Sequence, residues 1–248
     1  MGRRDASYES LAGSSFTRHR SAVELAGMVD LFCVFLRSDE DLLELLYDGV
    51  LKALRPGAII VNHATGDPAE ARMLEKICSA RGIRFVDAPV SGGRPGAVSR
   101  TLTCFVGTTS ATLDECRDLL SSHSAHVVHM GAAGTGQAAR LCNNALTVSN
   151  LRNVVEVFSV ADTFGVAPAK LQSAFSHSNC GSFISDALGT KVTPTIAAHI
   201  AELNRCDVEE FTAAAGKLRL DVSALRAWAI GGAAGLEEAV LRLVGDGP

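Results

Sequence analysis

The sequence predicts an α/β domain built on a mostly parallel sheet, followed by an all-α domain. In the first half of the chain, short apolar runs alternate with helical patterns, which is typical of a parallel sheet with helices on both faces. After Gly136, long helical patterns follow one another without convincing strands. We therefore expect one domain over residues 1–132 and a second over residues 133–248, joined by the glycine-rich segment 131–136.

Strands of the first domain are predicted where apolar, often β-branched residues form short uninterrupted runs. Such runs are expected for strands that are buried on both faces of a sheet. The predicted strands are residues 29–36, 58–62, 83–86, 101–106 and 126–129.

Helices are predicted between these strands and throughout the second domain. Acidic residues in the first turn favour a helix after residue 39, and Asp67 followed by Pro68 is a typical N-cap with proline at the first helical position. The predicted helices are residues 39–54, 68–81 and 110–120 in the first domain and 137–164, 168–176, 192–203 and 208–240 in the second.

Composition limits the kinds of partner. The chain has 248 residues, of which 47% are hydrophobic and 20% charged, as in ordinary globular proteins. Its formal net charge of −4 gives no electrostatic reason to expect nucleic acid as a partner. No apolar run reaches the roughly 18 residues that a membrane-spanning helix needs, so we expect no membrane partner.

Cysteine and histidine spacing gives no metal site. The seven cysteines are scattered and form no C-x-x-C pair, so they are predicted to be reduced in a cytoplasmic protein. His123, His126 and His129 recur every third residue on a short strand, which scatters their side chains around it. No metal ligand is therefore predicted.

The run F-V-D-A-P-V-S-G-G at residues 85–93 predicts a small-molecule site. It combines a buried strand with a loop that offers the Ser91 hydroxyl and the backbone N–H groups of Gly92 and Gly93. Several donors around one point favour binding of a carboxylate or another small anion. Ser91 has no histidine or aspartate at a recognisable triad spacing, so a hydrolase is not indicated.

Glycines also cluster at residues 131–136, in the order G-x-x-G-x-G. The dinucleotide-binding fingerprint is G-x-G-x-x-G directly after a strand. We therefore interpret this segment as a flexible turn before a long helix rather than as a phosphate site. Neither that fingerprint nor a Walker A motif occurs in the sequence.

Four segments occur together in a recognisable order. They are residues 85–93 with Gly96-Ala97, residues 101–103, residues 134–137 leading to Asn143-Asn144, and residues 178–182. Together they resemble the β-hydroxyacid dehydrogenase family, which includes 3-hydroxyisobutyrate and 6-phosphogluconate dehydrogenases. Residues 62–65 also resemble the turn that this family places beside the nicotinamide ring.

The resemblance implies a Rossmann-like fold and an NAD(P)-dependent oxidoreductase that acts on a small carboxylate-bearing hydroxy or oxo acid. It also implies a homo-oligomer that associates through the helical domain. The implied site residues are Ser91, Gly92 and Gly93 for the substrate carboxylate, Arg140 and Asn144 for catalysis, and Leu36, Thr65 and Asp207 for NAD or NADP. Arg140 and Asn144 are four residues apart, which puts both on one helix face.

Arg140 departs from the family, which has a catalytic lysine at this position. A buried lysine can exchange its proton near neutral pH, whereas a guanidinium with a pKa above roughly 12 keeps it. Arg140 can clamp a carboxylate or stabilise an oxyanion, which favours the reductive direction, but alcohol oxidation should be impaired. Alternatively, it forms an ordinary ion pair at the domain boundary.

The start of the chain is the second departure. The family begins with a strand, a G-x-G-x-x-G turn, a helix and a second strand, and Met1 to Arg4 align best with the end of that second strand. We therefore expect a Rossmann-like sheet that lacks its first βαβ elements, with weak or lost NAD(P) binding. Two alternatives stay open, a chain truncated from a longer protein and a pseudoenzyme kept for ligand binding or oligomerisation.

Overall fold

The computed structural model describes residues 13–244 of the chain. Contacts divide it into two compact units, one extending to Arg140 and the other starting at Leu141. The boundary predicted from the sequence, after residue 132, lies just before the long helix within which the contacts divide the chain. The assignment of a separate function to each domain stays a prediction. The predicted alignment of Met1 to Arg4 lies outside the described residues.

The first unit contains a six-stranded sheet. Its strands are β1 (Leu31–Val34), β2 (Ile59–Asn62), β3 (Arg84–Asp87), β4 (Val90–Ser91), β5 (Leu102–Gly107) and β6 (Ser124–Gly131). Strands β1, β2 and β3 are parallel neighbours, as are β5 and β6, whereas β5 runs antiparallel to β3 and β4. The predicted α/β class with a mostly parallel sheet is confirmed.

Helices cover both faces of this sheet. They are α1 (Ala22–Ala26), α2 (Asp39–Leu45) with its continuation through a π-helical turn (Leu46–Val50) and a last short turn (Leu51–Ala53), α3 (Pro68–Ser79), α4 (Gly93–Ser99) and α5 (Ser110–Ser121). Consecutive strand residues point to opposite faces. Ile60 therefore packs with Leu42 and Leu74 of α2 and α3, and Ile59 packs with Leu113 of α5.

The predicted start of α3 is confirmed in detail. Pro68 is its first residue, and the Asp67 carboxylate accepts hydrogen bonds from the backbone N–H groups of Ala69 (2.6 Å) and Glu70 (3.4 Å). The short strand β4 and helix α4 were not predicted, and they replace the simple loop expected after residue 87. The short helices Ala22–Ala26 and Phe183–Ala187 were not predicted either.

The second unit is helical, which confirms the predicted all-α part. Its helices are α6 (Thr135–Thr163), which begins in the first unit, then α7 (Pro168–Phe175), α8 (Phe183–Ala187), α9 (Pro194–Lys217) and α10 (Ser223–Val244). Its core contains Leu151, Phe158, Leu188 and Leu236, all of them fully buried. Among the described residues, no helix is long and apolar enough to cross a membrane.

The predicted break between residues 203 and 208 is wrong. Helix α9 continues through this segment and ends at Lys217. There Arg219 adopts a left-handed conformation (φ 59°), and the N–H groups of Arg219 and Leu220 return to the carbonyls of Gly216 and Ala215. This is the hydrogen-bonding pattern of a helix C-terminus, so the local chain ends α9 here rather than at residue 203.

Candidate functional site

Three parallel strands end at the same edge of the sheet. The register pairs Val34 of β1 with Asn62 of β2, and Asn62 with Asp87 of β3. Ligands of open α/β sheets bind outside the carboxyl ends of their parallel strands. Of the predicted cofactor residues, Leu36 follows β1 and Thr65 follows β2 at this edge, and both are half-buried.

The predicted carboxylate loop follows β3. Ser91 ends β4 and pairs with Thr103 of β5, which fixes the strand that leads into the loop. Gly92 (φ 122°) and Gly93 (φ 60°) both have positive φ values, which side chains larger than hydrogen disfavour. Gly93 begins α4, and N–H groups in a first helical turn have no intrahelical acceptor. The loop can therefore offer a hydroxyl and backbone donors to a carboxylate.

Asp87 is the most deeply buried charged group at this edge, with 0% of its surface exposed. Its Oδ1 accepts a hydrogen bond from the Gly134 N–H (2.8 Å), and its Oδ2 accepts one from the Gln137 N–H (2.9 Å). Asp87 thereby caps the N-terminus of α6. Burial raises the pKa of its carboxyl to about 6, and the hydrogen bonds from Gly134 and Gln137 partly oppose this rise.

Glycines allow this close approach. A Cβ at Gly136 would lie 2.5 Å from the Phe105 carbonyl oxygen and 2.7 Å from the Asp87 carbonyl oxygen. A Cβ at Gly107 would contact the Asp87 carboxylate itself. The glycine cluster lies at a turn before α6, and its Gly134 N–H donates a hydrogen bond to the Asp87 carboxylate. The close packing of Gly136 against Phe105 and Asp87 was not predicted.

Gln137 connects α6 to the turn that follows β2. Its side chain is 1% exposed, its Oε1 accepts a hydrogen bond from the Gly66 N–H (2.9 Å), and its Nε2 donates one to the Ala64 carbonyl (2.8 Å). These two contacts bracket Thr65. The sequence motif contained Asp87 and Gln137, but nothing in it assigned either side chain a role.

The remaining predicted residues lie on α6 and α9. Arg140 is half-buried and lies one helical turn after Gln137. In the second unit, Asn144 is 4% exposed, and its Nδ2 donates a hydrogen bond to Asp207 Oδ1 (2.8 Å). Two residues that the resemblance singled out, 63 positions apart, are therefore in direct contact. The catalytic and binding roles of all these residues stay predictions.

Comparison with known proteins decides the family. The family described as the NAD binding domain of 6-phosphogluconate dehydrogenase matches residues 1–131, which is more than half of the chain. The chain belongs to this family. The resemblance to 6-phosphogluconate dehydrogenases is thereby confirmed, and so is NAD or NADP as the cofactor class of the family.

The chain is also similar to the probable 3-hydroxyisobutyrate dehydrogenase of Mycobacterium tuberculosis. The two are 32% identical over 170 residues, an alignment that covers 65% of this chain and 58% of the mycobacterial protein. The chain therefore spans less than two thirds of the length of this relative.

Solved structures share the fold. The Mycobacterium tuberculosis 3-hydroxyisobutyrate dehydrogenase with L-serine has a TM-score of 0.83 at 23% identity, covering 99% of this chain and 89% of that one. Psf3 in complex with NADP+ and 2-OPP has a TM-score of 0.79 at 20% identity, covering 97% and 88%. At these identities the likeness establishes the fold alone, and it confirms the Rossmann-like class.

Substituting Gly136 with alanine should destabilise the first unit by about 3 kcal/mol, because the new methyl group would meet two backbone carbonyl oxygens that cannot move independently. Gly27→Ala is the matched control, since Gly27 has an ordinary φ of −68° and its Cβ would meet nothing closer than 3.7 Å. We expect the control to leave stability unchanged or to raise it by up to about 1 kcal/mol. Urea denaturation measures both, and equal stabilities would contradict the close contact.

Asp87 should make stability depend on pH. Its pKa rises from 3.8 to about 6 on folding, so in this window the folded state binds more protons than the unfolded chain. The contribution of Asp87 to the free energy of unfolding is therefore fully present below pH 3.8 and is lost as the pH rises through about 6.

Denaturation across this pH range should accordingly show a downward slope that Asp87→Asn removes. A carboxyl NMR titration locates the pKa directly. An ordinary aspartate value for Asp87 would contradict the effect of burial.

Proposed function

We propose that this chain forms part of an NAD(P)-dependent oxidoreductase that acts on a small carboxylate-bearing hydroxy or oxo acid. The observation that carries this proposal is the common edge of β1, β2 and β3, where Leu36, Thr65 and the Ser91 loop follow successive parallel strands. Membership in a family of NAD binding domains supports it. The name of the mycobacterial relative, a probable 3-hydroxyisobutyrate dehydrogenase, supports the substrate class.

The substrate carboxylate would be bound by the Ser91 hydroxyl and the backbone N–H groups of Gly92 and Gly93. Hydrogen bonds from several donors to one charged acceptor are stronger than neutral ones, so such a loop favours an anion over a neutral group. The positive φ values of both glycines support close approach of a ligand to the backbone.

The residues at this edge fit the nicotinamide half of the cofactor. Leu36 offers an apolar contact for the ring, and Thr65 offers a hydroxyl on a turn held by buried hydrogen bonds. Asp207, in the helical unit, is the third cofactor residue that we propose. The sequence contains no G-x-G-x-x-G, so its residues supply no glycine turn of that kind for the pyrophosphate. When bound, the nicotinamide supplies hydride transfer.

Arg140 and Asn144 would act on the reacting oxygen and the substrate. A guanidinium stabilises negative charge that develops on a carbonyl oxygen during reduction, and it does so without changing its own protonation. The proton that this oxygen then takes up has to come from another donor, because Arg140 keeps its own. Asn144, fixed by its hydrogen bond to Asp207, would orient the substrate.

A second candidate function is ligand binding without catalysis. Arginine in place of the proton-transferring lysine favours it, because the binding loop and the Thr65 turn do not depend on that proton. In this case the chain would still bind a carboxylate and a nicotinamide cofactor but would turn over slowly or not at all.

Self-association through the helical unit is also proposed. Val157 and Val160 are 45% and 52% exposed on α6, and Phe164, the residue that follows its end, is 79% exposed. Their spacing of three and four residues places them on one side of the helix. A continuous apolar stripe of this kind is typical of a surface that another chain covers.

We further propose a cytoplasmic location. All seven cysteines, including the buried Cys78, Cys104 and Cys116, are free thiols. Free thiols without disulfides are typical of proteins in a reducing compartment.

Cofactor titration tests the oxidoreductase proposal. NADH and NADPH fluorescence should report binding of at least one of them, and absent or only millimolar binding of both would contradict the proposal.

Arg140→Lys should raise oxidation of 3-hydroxy acids by about 100-fold, because a lysine at this position can accept the proton. Arg117→Lys, on the exposed surface of α5, is the matched control and should change nothing. Cofactor binding without any gain in Arg140→Lys would favour the binding protein.

Light scattering tests self-association. The mass should be at least twice the 25.9 kDa of one chain, and Phe164→Glu should lower it by placing a charge on the apolar stripe. A monomeric mass for the unchanged protein would contradict the proposal.

A further inference from the structure

Gln137 joins three segments that the proposed function assigns to separate tasks. Its backbone N–H is held by the Asp87 carboxylate at the end of β3, the strand that leads into the Ser91 loop. Its amide group reaches 71 and 73 positions back to the Gly66 N–H and the Ala64 carbonyl. One helical turn later on α6 lies Arg140. The strand end, the Thr65 turn and the start of α6 therefore meet at one buried residue, through the backbone N–H and the side-chain amide of Gln137.

We propose that Gln137 is a positioning residue that sets the Thr65 turn, residues 64–66, at the distance from α6 that nicotinamide binding requires. The proposal rests on the proposed function, since it concerns the cofactor edge of the sheet. Gln137 would not touch the cofactor. It would act through the two backbone groups on either side of Thr65, which fix the direction of the Thr65 hydroxyl.

The geometry favours positioning over a general structural role, because the segment that contains the turn has other anchors. The Asn62 Oδ1 accepts a hydrogen bond from the Ala64 N–H (3.1 Å), and the Asp39 Oδ2 accepts one from the Asp67 N–H (2.8 Å). These contacts hold the two ends of the segment to β2 and α2. Of the side-chain hydrogen bonds around the turn, those of Gln137 tie the backbone on either side of Thr65 to α6.

Burial makes this link specific. Gln137 is 1% exposed, so water does not readily replace either of its side-chain hydrogen bonds. An apolar side chain of similar length would leave the Gly66 N–H and the Ala64 carbonyl without these partners. Unsatisfied buried backbone groups are costly, so the turn would move until both groups found other partners. The expected consequence is a mobile Thr65 turn on an otherwise folded sheet.

Gln137→Met tests the inference, with Gln172→Met as its matched control. Gln172 lies in the helical unit, where its Nε2 likewise donates to two backbone carbonyls, those of Ser185 (2.6 Å) and Leu188 (2.9 Å). Both variants lose a side-chain amide and keep a side chain of similar length. Circular dichroism verifies that each is folded, and Gln137→Asn, whose amide is one methylene too short, replaces Gln137→Met should that variant fail to fold.

Hydrogen exchange without cofactor is the first readout. The peptide covering residues 62–67 should exchange faster by about tenfold or more in Gln137→Met, because losing two buried hydrogen bonds corresponds to a change of that order. The same peptide should be unchanged in Gln172→Met. Equal exchange of this peptide in both variants would overturn the positioning role, whatever the protein binds.

Cofactor affinity is the second readout. The dissociation constant of NADH or NADPH should rise about tenfold in Gln137→Met and stay within about twofold in Gln172→Met. Faster exchange together with unchanged affinity would overturn the link to cofactor binding. Absent binding by the unchanged protein would instead refute the proposed function, while the exchange experiment would still decide whether Gln137 holds the turn.

Discussion

The capping of α6 by the buried Asp87 carboxylate is the interaction on which the rest of the first unit depends. The carboxylate receives backbone hydrogen bonds from Gly134 and Gln137, so it joins the end of β3 to the N-terminus of the 29-residue helix α6. Hydrogen bonds to a charged acceptor are worth about 1.5–3 kcal/mol each, and the positive end of a helix dipole favours a carboxylate. These gains offset only part of the cost of burying the charged group, so its pKa stays raised, and they fix where α6 starts.

That contact explains the spacing of the glycines around it. Gly107 and Gly136 lie so close to Asp87 that any side chain would overlap its oxygens. A carboxylate can be buried at a helix start only where the helix backbone approaches it directly. The glycines around Asp87 are thus a consequence of helix capping inside a sheet, and they need no phosphate ligand to account for them.

Sequence reasoning succeeded where the determining interactions are local. Short uninterrupted apolar runs predicted five of the six strands, and Asp67 with Pro68 predicted the start of α3, because strand burial and helix capping both act over a few residues. The end of α9 was missed because it depends on a left-handed Arg219 rather than on a glycine or proline. The roles of Asp87 and Gln137 were missed for a different reason. Their partners lie 47 to 73 positions away, and no local pattern records such a pairing.

The same hydrogen bonds also determine what the arginine at position 140 changes in the proposed site. Asp87 holds the start of α6, and Arg140 is on this helix within one and a half turns of that start, so its backbone is fixed independently of its side chain. Replacing lysine by arginine at such a position keeps a positive charge near the same place and removes only the proton exchange. Under the proposed function, binding and proton transfer would therefore be separable in this chain. The Ser91 loop and the Thr65 turn, which we propose for the carboxylate and the nicotinamide, are held by contacts that do not involve the Arg140 side chain, so binding has to be measured apart from turnover.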